Sequence, residues 1–144
     1  ATKFGLPFRH VPTYLAGYYK YKAGDQFTEG GKPVNGKRDI CDIYAIMYET
    51  SESVPTLDGT NAFTSPNLIS TARINNAKET NEWTYFKLPF TTLPGKFIDK
   101  EKLMDGKYNI AIVFTSSLEG DRFNGAIGST LLIDEAELIY HSED

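Results

Sequence analysis

Aromatic rings alternate with charged side chains along three stretches of this sequence, and that alternation is the chemistry it offers most directly. In GYYKYK (17–22) an extended backbone sends Tyr19 and Tyr21 to one side and Tyr18 and Lys20 to the other. RDICDIYAIMYE (38–49) brings Arg38, Asp39, Asp42 and Tyr44, and WTYFKLPF (83–90) brings Trp83, Tyr85 and Lys87. A flat ring stacks on the apolar C–H face of a pyranose while neighbouring Asp, Asn, Arg or Lys groups hydrogen-bond its hydroxyls, so the combination points to sugar recognition. The expected platform is formed by Tyr18, Tyr21, Tyr44 and Trp83, with Lys20, Arg38, Asp39 and Asp42 as polar partners. Rings in strands more often fill a core than line a platform, and each must be weighed against that reading. Nine Tyr, nine Phe and one Trp in 144 residues exceed what one core of this size requires, so some are expected at the surface.

Other chemistry is thinner. Glycoside hydrolysis needs two carboxylates roughly 5–10 Å apart across one cleft. Asp39, Asp42, Glu82, Glu119, Asp121, Asp134, Glu135 and Glu137 supply carboxylates, with Asp39 or Asp42 as the acid or base of an enzymatic alternative, although most acidic side chains are simply solvated. His10 and His141 lie near the chain ends and no Gly-x-Ser-x-Gly turn accompanies them, which argues against a nucleophile and its base. Cys41 is expected to be a buried structural thiol, since apolar and acidic neighbours keep a thiol protonated. Asp134, in LLIDEAEL, is the one identifiable ligand for a structural Ca²⁺, an ion that takes six to eight oxygens. The plainer role for it is a bulge or hydrogen-bonding residue at a sheet edge.

Composition bounds the rest. The chain is long enough for one domain with its own core, and its net charge of −4 comes without any basic block, which argues against nucleic acid as a partner. A single cysteine allows no internal disulfide. No run is long and apolar enough to span a bilayer, so no direct membrane insertion is expected, and the start at Ala1 reads as a mature or excised segment from which a signal or anchor has been removed.

The elements that must position these residues read as strands. Residues 108–114, YNIAIVF, form a β-branched and aromatic run expected to be buried on both faces, and residues 130–140 form a second run after a glycine-punctuated connection. Residues 38–49 fit a strand with one core face and one partly wet face better than a helix, and in residues 83–90 Thr84, Phe86, Leu88 and Phe90 share the core face. Residues 23–37 read as a polar loop with a hairpin turn at Asn35-Gly36, residues 4–16 as an edge strand or lead-in, and IDKEKLMDGK as one helical turn. Short strands without a convincing helix predict an all-β jelly-roll β-sandwich over residues 1–144, with residues 141–144 frayed.

GYYKYK-x-G and the signature TSS-x-x-G-x-x-F-x-GA-x-GS-x-L-x-x-D, which runs from Thr115 to Asp134, together resemble the putative carbohydrate metabolism domain at the C-terminal end of Bacteroidetes surface lipoproteins. The resemblance covers nearly the whole chain. It implies a sandwich similar to carbohydrate-binding modules, exported to the outer membrane surface or periplasm, with a glycan or polysaccharide and the N-terminal domain of a parent chain as partners. The polar motif positions are Lys20, Tyr21, Asp39, Asp42, Ser116, Ser117 and Asp134, with no catalytic assignment to carry over, and a strand-end hydrogen-bonding role is the alternative for Ser116 and Ser117. Glycan binding leads, a glycoside hydrolase is the second reading, and a structural or adhesin-like module the third.

Overall fold

A computed structural model describes residues 3–4, 6–7, 9–51, 57–58, 62–120 and 123–140. Its strands are β1 (Lys3–Phe4), β2 (Leu6–Pro7), β3 (Pro12–Lys22), β4 (Phe27–Glu29), β5 (Lys32–Pro33), β6 (Asp42–Glu49), β7 (Leu57–Asp58), β8 (Leu68–Arg73), β9 (Thr80–Pro89) and β10 (Thr91–Thr92). After the single turn of helix α1 (Lys100–Met104) come β11 (Tyr108–Thr115), β12 (Gly125–Ala126) and β13 (Thr130–Tyr140). A five-stranded sheet in the order β10-β8-β6-β11-β2 faces a three-stranded sheet in the order β13-β3-β9, with all of these pairings antiparallel. This is the expected all-β sandwich. Residues 141–144, expected to fray, and Asp121 lie outside the described residues.

The interlayer core follows the alternation of the strands. Leu15, Tyr19 and Tyr21 of β3 and Phe86 of β9 pack with Ile43 and Ala45 of β6, Ala72 of β8, and Cys41. Met47, Ile69, Tyr108 and Ile110 extend this side, and Leu103 of α1 closes it. Burial of such side chains contributes about 1.5–3 kcal/mol apiece.

The other face of β6 is not wet, contrary to expectation. Tyr44, Ile46 and Tyr48 are buried with Leu57, Ala62, Leu68 and Ala111, and Phe63, Leu93 and Val113 pack against them. The connection between β6 and β8 returns across the sheet to make this second core. Its polar atoms are satisfied: the Tyr48 hydroxyl accepts from the Leu57 N–H at 3.3 Å and the Asn109 amide at 3.1 Å.

Strand β11 departs from expectation in the opposite direction. Tyr108 to Ala111 are buried, but Ile112 and Phe114 are exposed. β2 pairs only with Asn109 and Ile110, and a three-stranded layer is narrower than the five-stranded one that it faces. The hairpin also lies elsewhere: β4 and β5 turn at Gly30-Gly31, both at positive φ, while Asn35-Gly36 makes a separate turn. Helix α1 forms where the helical turn was expected, because the Asp99 side chain caps it by accepting from the N–H groups of Glu101 and Lys102.

Candidate functional site

The central strand of the smaller sheet, β3, turns Leu15, Tyr19 and Tyr21 inward, so Tyr14, Tyr18, Lys20 and Lys22 belong to the outward face. On β9 the outward residues are Trp83, Tyr85 and Lys87, opposite the inward Phe86. Cross-strand pairing sets Tyr18 against Tyr85 with ring centroids 5.2 Å apart. The Lys20 ammonium lies 4.7 Å from the centre of the Trp83 ring, and the Lys87 ammonium 4.3 Å from that of Tyr14. Trp83 and Tyr85 remain 45% and 52% exposed, enough to leave ring surface for a ligand. The result is a row of rings on an open sheet face, with an amine over the ring at each end.

That row runs into a cleft. Between the pairs Tyr19↔Thr84 and Tyr21↔Thr80, four residues of β9 span what two residues of β3 span. The surplus is fixed by hydroxyls: Thr80 Oγ1 and Thr84 Oγ1 both donate to the Glu82 carbonyl at 3.0 Å, and the Glu82 N–H returns a bond to Thr80 Oγ1 at 3.2 Å. Such a bulge bends the strand and re-aims its side chains. A cleft of about 290 Å³ opens there, lined by Lys20, Tyr21, Lys22, Thr80, Asn81, Thr130 and Leu132.

Other expected site residues are committed to structure. Tyr21 is buried; its hydroxyl donates to the Ser116 carbonyl at 2.7 Å, and burial pushes its phenol up to about 12. It is a core ring and no platform. The folded state holds this proton above the ordinary value of 10.0, so stability is unaffected below that pH and falls as pH rises from there towards about 12. Tyr21→Phe is expected to flatten that alkaline loss in urea melts; an unchanged alkaline slope would show that another group causes it. Tyr44 is likewise buried, edge-on to Phe63 and beneath the Arg73 guanidinium.

Asp39 is buried at a junction of three segments. One carboxylate oxygen accepts from Ser117 Oγ, from Ser129 Oγ at 2.6 Å and from the Ala126 N–H at 3.0 Å, while the other accepts from the Ile40 N–H at 3.0 Å. Ser116 and Ser117 therefore serve the strand end, Ser116 by its carbonyl to Tyr21 and Ser117 by its hydroxyl to Asp39. Ser129 also accepts from the Gly24 N–H at 3.0 Å, which draws the end of β3 onto the 126–129 turn. A Cβ on Gly24 would stand 2.1 Å from the Ile127 carbonyl oxygen. Gly24→Ala must push two backbones apart and is expected to cost about 2–3 kcal/mol, read as a lowered thermal midpoint.

Asp42 is buried and gripped by Arg73 through two bonds of 2.7 and 3.2 Å across β6 and β8. Arg38 is exposed and turned to Glu79, which also accepts from the Ala23 N–H; the guanidinium holds that carboxyl below its ordinary range. Asp39 and Asp42, either of which was expected as an acid or base, are thus both held by structural partners. Asp134 sits beside Glu135 (φ +51) at a register shift of β13, its carboxylate accepting the Glu135 N–H at 2.9 Å. That is the plainer of its two expected roles. Among the described residues no group of three or more His, Cys, Asp or Glu side chains gathers to hold a metal. Burial pushes the Cys41 thiol up to about 11, in keeping with an inert core cysteine.

The structure thus brings together Tyr18, Lys20 and Trp83 from the expected set, leaves Tyr21 at the cleft wall with its ring in the core, and commits Arg38, Asp39, Asp42, Tyr44, Ser116, Ser117 and Asp134 to structural contacts. Tyr85 and Lys87, read in the same alternation as Trp83, join the first three, whereas Tyr14 and Lys22 were missed although they continue the alternation of Tyr18 and Lys20. Thr80 and Asn81 carried no such signal, because a bulge breaks the period by which faces are read.

Comparison with known proteins places this geometry in a family. A solved structure from Bacteroides thetaiotaomicron VPI-5482 is 88% identical and superposes with a TM-score of 0.97, covering 99% of this chain and 42% of that one. Another, from Bacteroides vulgatus ATCC 8482, is 47% identical with a TM-score of 0.91, covering 98% of this chain and 57% of that one. Both are described as putative glycoside hydrolases, and this chain spans less than two thirds of either. No curated protein matches it. The family model of the putative carbohydrate metabolism domain matches residues 1–139, and the chain belongs to that family.

Proposed function

We propose that this chain is a glycan-binding module that holds a polysaccharide along the outward face of β13-β3-β9, without cleaving it. The observation that carries the reading is the outward row of Tyr14, Tyr18, Tyr85 and Trp83, the last two exposed and the first two half-buried, braced by Lys20 and Lys87 and ending in a polar cleft. Rings held on a rigid sheet present stacking surface at low entropic cost, and the amines and the Asn81 amide supply hydrogen bonds at its edge. An open face of this kind supports affinities of about micromolar to millimolar Kd.

Of the residues that line the cleft and its flank, Glu79 carries the one carboxylate and Arg38 already engages it, which supports binding over a hydrolysis that needs two acids across one cleft. A polysaccharide too large to enter a cell is met outside it, which supports a place at the outer membrane surface or in the periplasm, within a longer parent protein. A glycan array probed with the chain, with release of reducing ends followed in parallel, tests the reading. Binding without new reducing ends is the expected result; cleavage by this chain alone, or silence across the array, overturns it.

A further inference from the structure

The charge of the cleft goes beyond glycan binding as such, and the inference rests on that reading. Lys20 and Lys22 stand on the same face of β3 and both line the cleft, where the other polar side chains, Thr80, Asn81 and Thr130, are neutral. Two cations at one spot are notable in a chain whose net charge is −4. Neither ammonium has a carboxylate within ion-pair distance among the described residues, whereas Lys37, Arg38, Arg73 and Lys102 all do. The nearby carboxylates form no ion pair with either lysine. Glu79 is held by Arg38 and the Ala23 N–H, Asp134 opposes Tyr18 and accepts its own neighbour's N–H, and Glu82 belongs to the exposed bulge. Lys20 is also fixed in place by the Trp83 ring, so its charge is presented at the end of the ring row at little entropic cost.

We infer that the module selects an anionic glycan, stacking sugar rings on Trp83 and Tyr85 and seating a carboxylate or sulfate group of the adjoining residue between Lys20 and Lys22. A charge-assisted hydrogen bond is stronger than a neutral one, so loss of the anion should weaken binding about tenfold or more.

Three hexasaccharides on one backbone separate the sources of charge: chondroitin 4-sulfate, its desulfated form, and a form both desulfated and carboxyl-reduced. Calorimetric titration of the whole chain is expected to show the neutral form bound at least about tenfold more weakly than the preferred anionic one, and the step at which affinity drops identifies sulfate or carboxylate as the recognised group. Lys22→Gln, which leaves the Lys20–Trp83 contact intact, should remove most of the difference in affinity between the anionic and neutral forms, and added salt should act in the same direction. Equal affinity for all three forms overturns the charge selection and leaves the ring platform standing. The same holds if none of the three binds while the array reveals a neutral ligand. Silence in both experiments overturns both readings.

Discussion

Asp39→Ala is expected to lower the unfolding free energy by about 3–5 kcal/mol, the largest effect of any single substitution of a polar residue in this chain. The carboxylate takes four donors at once: Ser117 Oγ, Ser129 Oγ and the N–H groups of Ala126 and Ile40. Removing it leaves buried donors without an acceptor, and each such orphan costs about 1–3 kcal/mol. The segments it ties are far apart in sequence, namely the lead into β6, the end of β11 and the turn before β13. Asp39→Asn should fall between wild type and alanine, since an amide that turns its carbonyl to the serines must set its NH₂ against the Ile40 N–H. Urea midpoints at an unchanged m value check this. A midpoint within about 0.5 kcal/mol of wild type, together with lost glycan binding, would move Asp39 back from the frame to the site.

What could be read from residues alone follows the same division. Alternation in residues 17–22 and 83–90 located the strands and kept Trp83 off the core face of its strand, because period-two patterns report faces directly. In residues 17–22 it could not say which face was covered. Tyr18 and Tyr21 differ only in parity, and parity assigns one to solvent and the other to the core only once the opposing sheet is known. β6 misled for a related reason: Tyr44 and Asp42 look like the wet face of a sandwich strand, yet the β6–β8 connection buries the first and Arg73 neutralises the second. The signature from Thr115 to Asp134 was visible as a motif, but its meaning depended on Asp39, more than seventy residues upstream in sequence terms. Motif positions of that kind report a hydrogen-bonded junction as readily as a ligand site, and only the partners distinguish the two.

Trp83→Ala is expected to weaken glycan binding about tenfold, and Trp83→Ala with Tyr85→Ala about a hundredfold, with the urea midpoint nearly unmoved in both. Both rings stand on the outward face and neither belongs to a buried cluster, so their loss removes stacking surface and opens no cavity. Tyr21→Ala should behave in the opposite way, losing a fully buried ring and its bond to the Ser116 carbonyl, and so failing in stability before it fails in binding. The Trp83 variant also frees the Lys20 ammonium from the ring that positions it. A double-mutant cycle of Trp83→Ala and Lys20→Gln therefore has a predicted sign: the two losses should be less than additive, because removing either one already dismantles the pair. Strict additivity would mean that ring and amine contact the sugar independently, and an unmoved affinity in the double ring variant would place the glycan on another face of the sandwich altogether.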